Sequence, residues 1–251
     1  MCVKIWLMSM TCVVRIACLV LTLLGGTLTA CGEDLDDFNA AVEAASAHNR
    51  VAIGYLRTGN ADLASLEIDR LRDSWIQLTE RFSGKRPSAF EGNALYSELF
   101  TAVSARLVGA DIMLKTGRLD NTRDALDGIR ADLYDFRKAS GVIVLADCIR
   151  DANTMMDALM VYNDRGLDWG NSDTRTSVAV KAANYAAGLD RCDGIASEAV
   201  RVAPEFRRLI DGAKASLELI PKAIATRDPD LLHRILIELR SFDNLLAFRY
   251  G

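Results

Sequence analysis

One pattern constrains the fold of this chain more than any other: apolar residues recur at alternating steps of four and three positions along two separate stretches. Counted from Asp62, the positions +2, +6, +9, +13 and +16 hold Ala64, Ile68, Leu71, Trp75 and Leu78. Counted from Asp120, the same positions hold Thr122, Leu126, Ile129, Leu133 and Phe136. Residues spaced in this way lie on one face of an α-helix. Both stretches are therefore predicted to be amphipathic helices that bury one stripe each.

Two later stretches carry weaker copies of the same stripe. After Asp230 the apolar positions are Leu232, Leu236, Leu239 and Leu246, and Asp243 occupies a place where an apolar residue is expected. After Asp173 the corresponding residues are Ala179, Ala182, Ala186 and Leu189. Small side chains let a neighbour approach closely, so the helix that begins near Asp173 is expected to pack tightly against another helix.

Turn signals precede each of these helices, such as Gly59 with Asn60 and Asp228 with Pro229. The four leading aspartates recur every 53 to 58 residues, which indicates four antiparallel helical hairpins and about eight helices. The chain has only 4 prolines and is 50% hydrophobic, so it can form long helices and bury a full core. The predicted fold class is all-α.

The hairpins fit a four-helix-bundle-like arrangement best. We assign residues 1–30 to a leader, 31–140 to a first four-helix half and 141–251 to a second, with a single fused domain as a variant. The alternative is a short α-solenoid, because residues 55–60 followed by Asp62 and Ala64 resemble the inter-helix turn of a tetratricopeptide repeat. That family repeats every 34 residues, far from the period seen here, so we favour the bundle.

The N-terminus combines a basic residue, an apolar run and small residues before a cysteine. Arg15 precedes the apolar run 16–24, and Leu28-Thr29-Ala30-Cys31 follows. This order is typical of a secretory signal peptide, and the tetrapeptide resembles the lipobox of bacterial lipoproteins. The resemblance implies cleavage before Cys31 and acylation of its thiol.

The residue after this cysteine bears on the location. Gly32 stands where the enteric sorting rule places an aspartate to retain lipoproteins at the inner membrane, so the resemblance implies an outer-membrane anchor facing the periplasm in a Gram-negative cell. Two interpretations compete with lipidation. An ordinary secretory cleavage would leave Cys31 as a thiol. An uncleaved membrane anchor would need about 20 apolar residues, and Arg15 interrupts the run too early.

Cys148 and Cys192 are placed one on each arm of the third hairpin, equally far from Gly170 at its turn. Antiparallel arms would bring them to the same height, and thiols usually oxidise in the periplasm. We predict a disulfide between them. Two buried thiols or a thiol metal site are the alternatives.

Haem ligands are sparse in this sequence. Its layout of long helices is similar to that of periplasmic cytochromes of the c-prime type, but the Cys-x-x-Cys-His string that attaches a c-type haem is absent. The two histidines, His48 and His233, are predicted to stand at levels that differ by roughly 13 Å. They are therefore not expected to share a metal.

Methionines offer a weak soft-metal site. Met155, Met156 and Met160 lie about one turn apart and are candidates for copper, with Met113 as a further ligand. Methionines at helical spacing are far more often core residues. We predict no resident metal and no cofactor.

Two other polar groupings have structural explanations. Asp164, Asp168, Asn171 and Asp173 form an oxygen-rich loop without the spacing of a calcium loop, and we interpret them as helix-capping and solvated residues. Arg72, Arg130 and Arg240 all fall at +10 of their helices. They could line an anion-binding face, although an exposed or rim position explains them equally.

The remaining composition limits the function classes. A net charge of −4 without a basic run argues against a nucleic-acid partner. No phosphate-binding glycine loop is present, and no nucleophile is paired with a base in the sequence. We therefore expect a non-catalytic binding or interaction module at the cell envelope, with a membrane anchor and a protein partner, and not an enzyme. The alternative is a carrier or sensor that holds a metal, haem or small ligand in the bundle core.

Overall fold

The computed structural model of the chain describes residues 33–164 and 166–251. These residues form α-helices, one short 3-10 turn and connecting loops, with no β-strand among them. The predicted all-α fold is confirmed. None of the helices within these ranges combines the length and apolar character needed to cross a membrane.

The described residues divide into two compact units. Unit 1 contains residues 33–48 and 65–140, and unit 2 contains residues 49–64 and 141–251. Helices α1 (33–57) and α2 (Ala61–Phe82) therefore contribute residues to both units.

Unit 1 is built from parts of α1 and α2 together with α3 (Leu95–Lys115) and α4 (Leu119–Ala139). A 3-10 turn, Ser88–Phe90, precedes α3. Gly117 ends the α3 segment with a φ of 73°, a left-handed conformation that glycine adopts without strain. The chain thereby reverses within a few residues and α4 packs along α3.

The core of unit 1 is formed by the predicted stripes. All five α4 positions from Thr122 to Phe136 are buried, as are the predicted α2 positions from Ile68 to Leu78. Phe38 of α1 packs its ring 5.3 Å from that of Phe82 and 5.2 Å from that of Phe90. An aromatic cluster thus fills one end of the unit.

Unit 2 contains a closed ring of four helices. These are α5 (Leu145–Met160), α6 (Ser172–Ile195), α8 (Pro204–Leu217) and α10 (Pro229–Tyr250). Helix α5 packs on α6, α6 on α8, α8 on α10, and α10 returns to α5. A ring of this kind is a four-helix bundle, and an open solenoid stack would not close on itself.

The last predicted hairpin differs from its expected form. Its first arm is not one helix but three: α7 (Glu198–Arg201), α8 and α9 (Ile220–Thr226). Pro204 and Pro221 lie in the first turns of α8 and α9. Proline lacks the N–H that a helix interior requires but is well suited to a first turn, so each proline starts a new helix.

The weaker stripes behave differently from each other. On α10 the four predicted leucines are buried, and Asp243 is buried as well, with 2% of its surface exposed. On α6, Ala182 and Leu189 are buried, whereas Ala179 is exposed. The small residues of α6 are therefore not fully covered by a neighbouring helix.

Candidate binding groove and the buried polar cluster of unit 2

An apolar groove of about 580 Å³ lies in unit 2 between α6 and the α8–α9 segment. One wall is formed by small residues of α6: Ala179, Ala182, Ala183 and Ala186. The opposite wall is aliphatic: Leu217, Ile220, Pro221, Ile224 and Ala225. Three charged residues complete the lining: Asp190, Lys214 and Glu218.

Local sequence explains why a groove forms here. The alanines of α6 leave space beside the helix, because each side chain is only a methyl group. Between α8 and α9 the regular α-helical hydrogen bonding is interrupted by a turn at Glu218 and Leu219, and α9 begins at Ile220 with Pro221 in its first turn. α8 and α9 therefore present two short segments in place of one continuous helix, and the space beside α6 stays open.

The charged residues form an ion-pair network. Lys214 Nζ lies 2.6 Å from Asp190 Oδ1 and 3.8 Å from Asp193 Oδ2. Arg207 also contacts Asp193, at 2.6 Å between Nη2 and Oδ1. Glu218 follows Lys214 by one turn on the same helix face and is exposed. The five charged groups named here thus carry three negative and two positive charges, with Lys214 paired to Asp190 and Arg207 to Asp193.

The groove is polar at one end and aliphatic at the other. The Lys214–Asp190 pair shows that the C-terminal part of α6 is level with the middle of α8. Because the chain runs antiparallel here, later residues such as Ile224 lie beside earlier α6 residues such as Ala179, and α9 packs on α6. The lining therefore changes from charged to purely hydrocarbon along its length.

Deeper in unit 2, Asp243 organises a buried polar cluster. Its Oδ1 accepts hydrogen bonds from Asn153 Nδ2 at 2.7 Å and from the Tyr185 hydroxyl at 3.3 Å. Its Oδ2 accepts a hydrogen bond from Arg240 Nη1 at 3.0 Å. Arg240 also donates to Asp157 Oδ1 at 2.6 Å. The cluster therefore ties α5, α6 and α10 together.

Burial sets the protonation behaviour of this cluster. It raises the pKa of Asp243 above its ordinary value of 3.8, while the hydrogen bond from Asn153 and the charge of Arg240 oppose the shift. Burial also raises the pKa of Tyr185, and the neighbouring Asp243 carboxylate adds to that effect. The tyrosine is therefore a neutral hydrogen-bond donor at physiological pH.

Cys148 and Cys192 form a disulfide, as predicted, with their Cα atoms 5.4 Å apart. Both residues are buried, at 1% and 0% exposure. The bond joins α5 to α6 in the core and leaves neither sulfur as a free thiol for a metal.

The predicted methionine candidates pack as hydrophobic side chains. Met156 is fully buried in the core of unit 2, and Met155 and Met160 pack against that core. Met155 lies beside Gly188, where its sulfur would be 2.8 Å from an added Cβ. Met113 belongs to unit 1.

The two histidines belong to different units and have different partners. His48 Nδ1 lies 2.7 Å from Glu67 Oε2 in unit 1. His233 Nδ1 lies 2.6 Å from Asn163 Oδ1 in unit 2. Across the residues that the structure describes, no cluster of three or more His, Cys, Asp or Glu side chains has the geometry to hold a metal ion.

In the oxygen-rich loop the predicted helix capping is confirmed for Asn171, whereas Asp164 and Asp168 form hydrogen bonds within turns. Asp164 and Asp168 each accept a hydrogen bond from the backbone N–H two residues later, both at 2.8 Å. Asn171 accepts from the backbone N–H of Asp173 at 2.7 Å and caps α6. These oxygens stabilise turns and a helix end.

The three arginines at +10 do not form one anion site. Arg72 pairs with Asp69 at 2.7 Å, and Arg130 lies 3.6 Å from Asp127. Arg240 pairs with Asp157 and Asp243 in the other unit. Each arginine has an aspartate three residues away on its own helix, so the repeat reflects local ion pairs.

Cys31 and the lipobox-like tetrapeptide lie outside the described residues.

The sequence pattern did not predict the groove. Two of its signals were visible, namely the alanines of α6 and the second proline at Pro221. Their juxtaposition depends on the packing of α9 against α6, which spacing alone does not encode.

The fold and the groove define a class: an all-α helical-bundle protein with an amphiphilic surface groove. No family model, no curated protein and no solved structure matches this chain. The residues of the chain itself are therefore the basis for its function.

Proposed function

We propose that this protein is a non-catalytic binding module, tethered to the cell envelope by an acylated Cys31, and that the groove of unit 2 is its binding surface. The observation that carries the proposal is the groove itself. Its volume of about 580 Å³ falls within the range of roughly 300–1,000 Å³ found for small-ligand sites. Like those sites, it combines an apolar lining with a few polar groups at one end.

The location rests on two independent features. The tetrapeptide ending at Cys31 has the residue order of a lipobox, and Gly32 favours an outer-membrane address facing the periplasm. The Cys148–Cys192 disulfide is compatible with an extracytoplasmic location, because such bonds persist in oxidising compartments.

The non-catalytic role is supported by the contacts of the reactive side chains, which serve the structure of unit 2. The most perturbed carboxylate, Asp243, is enclosed by Asn153, Tyr185 and Arg240 and does not line the groove. The loop oxygens cap backbone N–H groups. These roles favour binding as the activity.

Fractionation with mass spectrometry of the N-terminal peptide tests the tether. The wild-type chain is expected in the membrane fraction with an acylated N-terminal Cys31, and the Cys31→Ala variant should lack the acyl mass. Cys18→Ala, also in the leader but outside the tetrapeptide, is the matched control and should behave like wild type. A wild-type protein with an intact leader or an unmodified Cys31 would contradict the tether.

Site-specific photocrosslinking in living cells tests the binding surface. A photoreactive residue at the groove position Ala179 should form an adduct. The same residue at Ala187, which is exposed on α6 but does not line the groove, should not. Equal labelling at both positions, or none at Ala179, would contradict the proposal.

A further inference from the structure

Helix α3 of unit 1 does not turn a charged face to water along its middle. Its inner face carries the buried core residues Tyr96, Leu99, Phe100, Val103, Leu107, Ala110 and Leu114. On the opposite face four exposed, uncharged residues follow one another: Thr101, Ala105, Val108 and Ile112. Val108 and Ile112 are 57% and 53% exposed. A surface helix normally has a polar outer face, and a helix that is apolar all round is normally buried.

The outer face also has the spacing of a coiled-coil seam. Six exposed residues recur at alternating steps of three and four positions: Glu98, Thr101, Ala105, Val108, Ile112 and Lys115. We call these six residues the outer stripe. It extends over about 25 Å at 1.5 Å per residue. Side chains that repeat in this way stay aligned with a second helix over their whole length.

The charges beside the outer stripe have partners within unit 1. Between Glu98 and Lys115 the only charged residues are Arg106 and Asp111. Arg106 pairs with Asp132 of α4, and Asp111 lies 3.7 Å from Arg72 of α2. The centre of the outer stripe is therefore free to approach an uncharged surface without burying an unpaired charge.

The outer stripe is complementary to itself when its direction is reversed. Its positions are symmetric about the midpoint between residues 106 and 107, so in an antiparallel pair each lies level with a different stripe residue of the other copy. The charges at the ends are then opposite, and each larger aliphatic side chain faces a smaller side chain. The pairs are Glu98 with Lys115, Thr101 with Ile112, and Ala105 with Val108.

This self-match selects a second copy of the chain as the partner. A two-fold interface brings one surface against itself, so that surface must be complementary to its own reverse. A parallel pair would place Glu98 beside Glu98 and Lys115 beside Lys115, which like charges disfavour. Binding to an unrelated protein would not require the two ends of the outer stripe to match each other.

We propose that the protein forms a two-fold dimer in which the α3 helices of two copies pack antiparallel through their outer stripes. Lys115 already contacts Asp111 of its own helix at 2.7 Å, but its side chain is 71% exposed. An exposed pair of this kind contributes little, so the ammonium can also bind Glu98 of the second copy. One helix pair is a small interface, and we expect the dimer to dissociate on dilution. This surface lies in unit 1 and is separate from the groove of unit 2.

Sedimentation equilibrium of the full chain in density-matched non-ionic detergent tests the dimer. Wild type should show a reversible monomer–dimer equilibrium. Val108→Glu should weaken it at least tenfold, because the two-fold axis places two new carboxylates near the centre of the interface. Val180→Glu, the same change at a 50% exposed valine of α6, should dimerise like wild type. A wild type that stays monomeric up to its solubility limit, or equal dimerisation of Val108→Glu, would overturn the proposal.

A charge exchange tests the pairing at the ends. Glu98→Lys should weaken the dimer at least threefold, because each end then brings two lysines together. Adding Lys115→Glu to that variant should recover most of the lost affinity, since the charges are opposite again. If the double variant were no tighter than Glu98→Lys alone, the end pairing would be wrong.

Disulfide cross-linking tests the antiparallel register. A mixture of Thr101→Cys and Ile112→Cys chains, oxidised with copper phenanthroline, should give a cross-linked dimer of one chain of each kind. Either variant alone should not, because its two introduced cysteines would stand roughly 16 Å apart along the helix axes, beyond the reach of a disulfide. Equal cross-linking of the single variants and the mixture, or none in any sample, would overturn the proposed interface.

Discussion

At the scale of single residues, Asp243 is the position where the sequence pattern and the chemistry disagree most. It occupies a stripe position of α10 that is otherwise leucine, and it is as buried as those leucines. A buried carboxylate is costly unless it is hydrogen-bonded and paired. Asn153, Tyr185 and Arg240 supply three such contacts from three helices.

The raised pKa of Asp243 predicts a specific pH dependence of stability. Above its native pKa, folding must bury a charge that the unfolded chain keeps in water. As the pH falls through that pKa the native carboxyl takes up its proton first, so the Asp243 contribution to the free energy of unfolding increases. It becomes constant below the ordinary value of 3.8. The gain is about 1.4 kcal/mol for each pKa unit of the shift.

Urea unfolding of wild type and Asp243→Asn between pH 7 and pH 4 measures this effect. The stability of wild type relative to the variant should increase as the pH falls, because asparagine has no proton to take up. Glu238→Gln, at an exposed site on the same helix, serves as the control. Its free energy of unfolding should change with pH in the same way as that of wild type. A wild-type stability that declines relative to Asp243→Asn over this range would refute the prediction.

At the scale of elements, the helices that could be predicted from the sequence are those whose buried residues form one regular stripe. Every predicted position from Ile68 to Leu78 and from Thr122 to Phe136 is buried. The disulfide was also predictable, because both cysteines stand equally far from one turn. The three-part arm from α7 to α9 was not, since α7 and α9 have only 4 and 7 residues, and α8 and α9 take their positions from packing against α6 and α10.

Close packing between α8 and α10 gives a test of one such contact. A methyl group at Gly212 would lie 2.6 Å from Cζ of Phe242, well inside van der Waals contact. Gly212→Ala should therefore lower the free energy of unfolding by about 1–2 kcal/mol, since overpacking outweighs the gain in helix propensity. Chemical denaturation measures the difference.

Gly194 provides the matched control. It lies in α6, and an added Cβ there would meet nothing within 4 Å. Gly194→Ala should leave stability unchanged or raise it by up to about 1 kcal/mol. If both variants gained stability equally, the α8–α10 contact would not be tight.

At the scale of the whole molecule, the division into units does not follow the chain order. Unit 2 includes residues 49–64 as well as 141–251. Within unit 2, Arg50 Nη1 donates a hydrogen bond of 3.1 Å to the backbone oxygen of Gly251. A Cβ added at Gly54 would lie 3.1 Å from the ring of Phe248. The end of α10 is therefore held by a segment about 200 residues earlier in the chain.

This arrangement predicts how a fragment of residues 141–251 behaves. It retains the four-helix ring, the disulfide and the Asp243 cluster, so we expect it to fold with protected amides in α5 and α6. It lacks Arg50 and Gly54, so hydrogen exchange in the last two turns of α10 should be at least tenfold faster than in the full chain. Mass spectrometry of exchanged peptides measures both.

Arg50→Ala in the full chain should reproduce part of the acceleration at the end of α10 and leave α5 unchanged. An unfolded fragment would mean that residues 49–64 are required for the bundle to form, and equal exchange at the end of α10 would mean that they do not hold it.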